Sequence, residues 1–212
     1  MKIVSVILAR GGSKGIPNKN IILIKNKPLI QYSIQASLCS KVDETWVSTD
    51  ALDIKKIALD CGAQVLDRPS KLSTDTASSD DALLHFSQHV DFDILVFLQP
   101  TSPLILFNDI NTGLDLMKQS KYDSLFSVYK EHWIPRWSLN LEPYNWDTKK
   151  RPMRQEKEEL LVENGAIYIS TRDQLLSSKL RYGGKIGYIE MPLQRSFQID
   201  TYDDMELIKK LL

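Results

Sequence analysis

The sequence predicts an α/β domain built on a mostly parallel sheet with helices on both faces. Three observations lead there. Short apolar runs alternate with amphipathic stretches along the first 130 residues, the pattern of parallel strands joined by crossover helices. Ile3–Leu8 and Ile94–Leu98 are apolar at nearly every position, as strands covered on both faces must be. Polar segments punctuated by glycine or proline fall directly after these runs, where an open α/β sheet binds its ligands.

Each element rests on a local signal. Residues 28–37 read as a helix, with Leu29, Ile30, Tyr32, Ile34 and Ala36 on a broad apolar face. A strand over 45–48 and a helix over 52–61 follow, the latter closed by Gly62. Residues 64–66 form a short strand. Ser78-Ser79-Asp80-Asp81 opens a helix that turns Leu83, Leu84 and Phe86 inward. Ile94–Leu98 is the most central strand, stopped by Gln99-Pro100-Thr101-Ser102-Pro103. A helix over 110–117 and a strand over 124–129 continue the alternation, which then fails. Residues 130–160 hold Trp133, Trp137 and Trp146 among Pro135, Pro143 and Pro152. Linkers are poor in tryptophan, so this stretch is an insertion that leaves the sheet. Strands resume over 166–170 and 186–191. A last helix begins near Thr201, with Met205, Ile208 and Leu211 toward the core.

Composition narrows the function. At 212 residues, 42% hydrophobic and 25% charged, the chain fits one soluble domain over 1–212. Lys plus Arg and Asp plus Glu both number 27, so no net field favours nucleic acid or an anionic membrane. Cys39 and Cys61 lack CxxC partners, and His85, His89 and His132 lack metal-ligand spacing. No apolar run approaches the roughly 20 residues of a membrane span, and Arg10-Gly11-Gly12 interrupts the apolar start. A cytoplasmic protein is expected.

The chemistry-bearing segment follows the first strand, at Ala9-Arg10-Gly11-Gly12-Ser13-Lys14-Gly15-Ile16-Pro17-Asn18-Lys19-Asn20. Consecutive glycines let backbone N–H groups converge on one concavity, and Arg10, Lys14 and Lys19 surround it with positive charge. That is a phosphate nest. Neither Walker A nor GxGxxG spacing is met.

With Lys19-Asn20, this loop resembles the nucleotide-binding signature of the CMP-sialic acid synthetases (acylneuraminate cytidylyltransferases). The resemblance extends to Ser48-Thr49-Asp50, to Arg68-Pro69 with Asp75-Thr76-Ala77-Ser78-Ser79, to Gln99-Pro100-Thr101-Ser102-Pro103-Leu104, to Asn164-Gly165-Ala166-Ile167-Tyr168-Ile169, and to Ile199-Asp200-Thr201. It implies a Rossmann-like fold of the nucleotide-diphospho-sugar transferase type, in which a sialic-acid-type sugar attacks CTP with magnesium and releases pyrophosphate. It also implies roles. Arg10 and Lys19 hold the triphosphate over Gly11, Gly12 and Ser13, while Asn20, Arg68 and Ser79 read cytosine and ribose. Gln99 faces the sugar beside Asn164, and Asp200 binds magnesium. Asp50 is accounted for as well by helix capping as by function. Residues 130–162 correspond to a dimerisation arm, so a homodimer is expected.

Two positions depart from the pattern. Gln198 stands where the first of two acidic residues is usual, and Val162 where some members carry arginine, so Arg136 or Arg154 is expected to meet the sugar carboxylate. Lys149-Lys150-Arg151 reads as a solvated basic stretch. Rival readings are a 3-deoxy-manno-octulosonate cytidylyltransferase and a nucleotide-binding protein that has lost catalysis. An enzyme acting on sugar 1-phosphates would need a Gly-x-Gly-x-Arg loop, which is absent.

Overall fold

The computed structural model describes residues 1–212. Strand β1 (Ile3–Leu8) leads through a 3-10 turn (Lys19–Ile21) to a hairpin of β2 (Leu23–Ile24) and β3 (Lys27–Pro28), then α1 (Leu29–Leu38). Next come β4 (Glu44–Thr49), α2 (Leu52–Asp60), β5 (Gln64–Asp67), α3 (Ser79–His89), β6 (Ile94–Leu98) and α4 (Phe107–Ser120). β7 (Ser124–Glu131) precedes an arm carrying β8 (Arg136–Trp137) and β9 (Pro143–Tyr144). β10 (Leu160–Thr171), α5 (Arg172–Ser178), β11 (Ile186–Glu190) and α6 (Tyr202–Leu211) follow.

Seven strands form one sheet in the order β11-β7-β10-β6-β1-β4-β5. Every neighbouring pair is parallel except those of β10, which is antiparallel to both β6 and β7. The mostly parallel sheet expected from the sequence is therefore present, with one reversed strand inside it. That reversal carries the start of β10 to the end of the sheet where β6 and β7 finish.

The alternation of side chains along the strands feeds two cores. On one face, Ile7, Val47, Val96 and Ile167 meet Ile34, Ile54, Ile110 and Leu114 of the helices. On the other, Val4, Val6 and Phe97 meet Leu83 and Phe86 of α3 and Leu175 of α5. Each fully buried aliphatic or aromatic side chain contributes about 1.5–3 kcal/mol. A third cluster joins Ile16, Ile24, Leu29, Leu104, Ile199, Met205 and Ile208. It fastens the glycine-rich loop to the segment before α6 from behind. A polar seam in the core, Ser5, Ser37 and Thr45, is closed by hydroxyl contacts of 2.5 and 2.7 Å.

Several expectations need correction. β10 begins at Leu160, not near 166, because its first residues pair with Tyr129–Glu131 of β7. The segment outside the large sheet is thus 132–159, shorter than 130–162. Helix α5 and the β2–β3 hairpin had no clear sequence signal. Leu211 is exposed and Leu84 half-buried. Within Ser78-Ser79-Asp80-Asp81 it is Ser78 that caps α3: its side chain accepts from the Asp80 N–H at 3.0 Å. Gly62 does sit just past α2 with φ +89°.

Arg195 ties the segment before α6 to α4. Its guanidinium donates through both Nη1 and Nη2 to the buried carboxylate of Asp109, which also accepts from the Leu106 N–H at 2.9 Å. Asp109→Ala leaves the half-buried arginine without its carboxylate, with only the Leu104 carbonyl at 3.5 Å, and removes an acceptor at the start of α4. It is expected to destabilise the chain by about 3 kcal/mol, measured by urea unfolding; a cost under about 0.5 kcal/mol would mean that the pair does not anchor this segment.

Candidate active site

Parallel strands direct their carboxyl ends to one edge of the sheet, and the polar segments converge there. β1 delivers residues 9–20, β4 delivers Asp50, β5 delivers Arg68, and β6 delivers Gln99. The reversed β10 delivers Asn164, whose neighbour Ala166 accepts from the Gln99 N–H at 3.2 Å. The segment before α6 crosses the same edge, with the Ile199 N–H on the Thr101 carbonyl at 2.8 Å.

The glycine-rich loop is shaped from within. Asn20 is buried and donates through Nδ2 to the Arg10 carbonyl at 2.9 Å, so its amide nitrogen shapes the loop. Gly12 adopts φ +66° with open space beside it. At Gly15 a Cβ would lie 2.8 Å from the Asp200 carbonyl, so only glycine lets the two segments approach this closely. Ser13 is exposed.

The cations of the loop are held by carboxylates. Arg10 donates to Asp75 at 2.7 Å and to the Ser73 carbonyl at 3.2 Å, and Lys14 reaches the other oxygen of Asp75 at 2.7 Å. Hydrogen bonds from Lys14 and then Arg10 hold the Asp75 carboxyl below the usual range. Lys19, whose side chain is largely buried, meets Asp200 at 2.8 Å. Asp50 accepts from the Gly11 N–H at 3.0 Å, and α2 has no side-chain cap. The capping role of Asp50 is therefore not met, and its carboxylate belongs to the loop.

Arg68 differs from these. Only 7% exposed, it has no hydrogen-bond partner for Nε or Nη2. Burial pulls its pKa down, Asp50 opposes that, and Arg10 adds to it. A buried guanidinium without partners is costly unless something accepts from it. It can serve a ligand that brings acceptors.

Beside the loop lies a cavity of about 440 Å3 lined by Gln99, Tyr129, Val162, Glu163, Asn164, Gly165, Ser196, Phe197, Gln198, Asp200 and Asp204. Asn164 borders it, yet its side chain is engaged inside the protein. Nδ2 donates to Ser196 Oγ at 2.9 Å, and Oδ1 accepts from Ser127 Oγ at 2.5 Å and the Ala166 N–H at 3.2 Å. The expected sugar contact of its amide is thus taken by the fold. Gln198 donates through Nε2 to the Asn164 carbonyl at 2.6 Å.

Arg136 and Arg154 separate. Arg136 pairs with Glu131 at 2.5 Å out on the arm. Arg154 makes no ion pair and lines a second cavity of about 450 Å3, which shares Tyr129 and Phe197 with the first. Tyr129, Phe197 and Glu163 carry no motif of their own in the sequence, and adjacency to strand ends and to Asp200 is the only signal for them. Asp75 stands inside the Asp75-Thr76-Ala77-Ser78-Ser79 motif, but nothing in the sequence gives it Arg10 as a partner.

A magnesium ion needs hard oxygen donors. No group of three or more His, Cys, Asp or Glu side chains is gathered anywhere in the structure. Asp200 offers an exposed carboxylate at the cleft, which suits an ion that takes its other ligands from phosphate and water.

Comparison with known proteins agrees with this geometry. Residues 4–212 match a family model described as Cytidylyltransferase. N-acylneuraminate cytidylyltransferase A of Danio rerio is 40% identical over 206 residues, covering 93% of this chain and 47% of that protein. The chain spans about half the length of the first curated relatives it matches. CMP-N,N'-diacetyllegionaminic acid synthase of Legionella pneumophila is 34% identical over 226 residues, covering 100% of this chain and 97% of that protein. A solved CMP:2-keto-3-deoxy-manno-octonic acid synthetase, complexed with CTP, has a TM-score of 0.76 at 24% identity, with 100% and 98% of the two chains covered; it is a likeness of fold. No helix is long and apolar enough to cross a membrane. From the glycine-rich loop to α6, by sequence and by fold, the chain belongs to the cytidylyltransferase family.

Proposed function

We propose that the chain transfers CMP from CTP to the anomeric hydroxyl of a sialic-acid-like nonulosonate, releasing pyrophosphate. The observation that carries this reading is Arg68. Its unpartnered guanidinium lies in the cleft that holds the cationic loop, and cytosine brings the acceptors O2 and N3 that such a fork needs. In this reading the Gly11, Gly12 and Ser13 backbone cradles phosphate, Asn20 holds the loop, and Ser79 contacts the nucleoside. Arg10, Lys14 and Lys19 exchange their carboxylate partners for the triphosphate, whose greater charge competes well for exposed pairs.

Transfer at the α-phosphorus needs positioning and charge stabilisation more than covalent help. Gln99 orients the sugar from the end of β6, and Asp200, released by Lys19, holds magnesium. That ion supplies charge neutralisation to the phosphates when bound. Arg154 is better situated than Arg136 to meet the sugar carboxylate within one chain. Curated relatives bear names for both N-acylneuraminate and diacetyllegionaminate chemistry, which supports the nonulosonate class and leaves its members as arms of the assay. The arm over 132–159 exposes Ile134, Leu139, Leu141 and Met153; this apolar surface supports a homodimer formed through it. The two free cysteines, Cys39 and Cys61, are consistent with a cytoplasmic protein.

The defining experiment measures pyrophosphate release from CTP and magnesium with N-acetylneuraminate, legionaminate, pseudaminate and 3-deoxy-manno-octulosonate. Release with a nonulosonate is expected. Release with the octulosonate alone would give the reaction to the rival sugar, and CTP binding without release would favour the non-catalytic protein. Arg68→Met should weaken CTP binding about tenfold or more by calorimetry, while the melting temperature holds or rises because an unpaired buried cation is gone. Unchanged CTP affinity would remove Arg68 from the base site. Asp200→Asn should abolish magnesium-dependent turnover in a chain that still folds; near-normal turnover would rule out the metal role.

A further inference from the structure

Between Glu163 and Tyr168 the pairing of β10 with β7 shifts register. Asn164, Gly165 and Ala166 occupy that irregularity, with Gly165 at φ +69°. The bulge and the segment before α6 form two sides of the cavity described above, and they are sewn together at successive positions. Ser196 accepts from the Asn164 side chain, the Ile199 N–H bonds to Thr101, and between them Gln198 donates to the Asn164 backbone carbonyl at 2.6 Å. The Gln198 amide also packs against Gly165, where a Cβ would clash with its nitrogen.

We propose that Gln198 is a positioning residue: its amide latches the segment carrying Phe197 and Asp200 onto the bulge of β10 and so sets the shape of the sugar cavity. The chemistry of the contact selects the amide. The Asn164 carbonyl is an acceptor and requires an N–H opposite it. A carboxylate of the same length has none, and two acceptors at this distance repel. The glutamine is then no vestige of a lost metal ligand. In the proposed reading the metal end of the site is built around Asp200.

This inference rests on the reading of the cavity as the sugar site, so its test has one arm that depends on turnover and one that does not. In the first, pyrophosphate release is followed in the full chain with the best sugar of the panel, for the unaltered protein, Gln198→Glu and the uncharged Gln198→Met. Both substitutions should raise the sugar KM about tenfold while the CTP KM stays within about twofold. The magnesium concentration for half-maximal rate in Gln198→Glu should not fall. Equal or faster turnover by Gln198→Glu, or half-maximal rate at lower magnesium, would overturn the latch in favour of a missing ligand. In the second arm, thermal unfolding without substrate compares Gly165→Ala alone and in a Gln198→Ala background. The latch requires the glycine substitution to cost less once the amide is gone; equal costs would overturn it. Silence of the unaltered protein with every sugar would count against the proposed function, and the second arm would still decide the latch.

Discussion

Positive charge gathered at the ends of parallel strands must be kept in place before any polyanion arrives. Arg10, Lys14 and Lys19 crowd one loop, and left alone they would repel one another. Asp75 and Asp200 answer them, and Asp50 takes an N–H from the loop's own glycine. The strength of these contacts is matched to that task. Asp75 and Asp200 are substantially exposed, and exposed ion pairs are worth about 0–1 kcal/mol. They order the loop without binding it too firmly to be exchanged. Arg68 has no such stand-in, and it is the cation set deepest.

The second constraint is topological. A parallel sheet offers its carboxyl ends to a ligand, but amino ends of parallel strands point the other way. Reversing β10 within the sheet brings the beginning of a strand to the ligand edge, and with it the Asn164–Ala166 bulge beside Gln99. A loop that far from its own helix needs other support. The apolar cluster containing both Ile16 and Ile199 supplies it, holding the backs of two loops whose polar faces meet across Gly15 and Asp200. Core packing therefore fixes the spacing between the glycine-rich loop and the segment before α6.

Much of this is legible in the sequence because burial on both faces leaves an unmistakable trace. Ile94–Leu98 coincides with β6, and Ile3–Leu8 with β1. The glycine-rich loop is legible because three cations set around consecutive glycines just after a strand call for an anion. What escapes has physical reasons too. Helix α5 spans seven residues, too few to establish a helical period. The early part of β10 is exposed although Leu160, Leu161 and Val162 are apolar, and so short a run before Glu163 shows no strand period. Asp75 reads as a loop residue, since only the fold brings it to Arg10 across 65 positions. Asn164 is recognised by its neighbours in the chain, yet its amide is enclosed by Ser127, Ser196 and Ala166, none of which the sequence places beside it.

Gln198 shows how one position can be misread by charge alone. Judged by charge, a glutamine near Asp200 is a carboxylate lost. Judged by hydrogen bonding, it is a donor gained, facing a carbonyl that would otherwise lie at the edge of a polar cavity. The two roles exclude each other, because a carboxylate that binds magnesium cannot also give a proton to Asn164. In the proposed reading Asp200 leaves most of the ion's coordination to the triphosphate, which makes metal and nucleotide binding interdependent. With that donor in place, the bulge and the segment before α6 are held as one wall of the cavity.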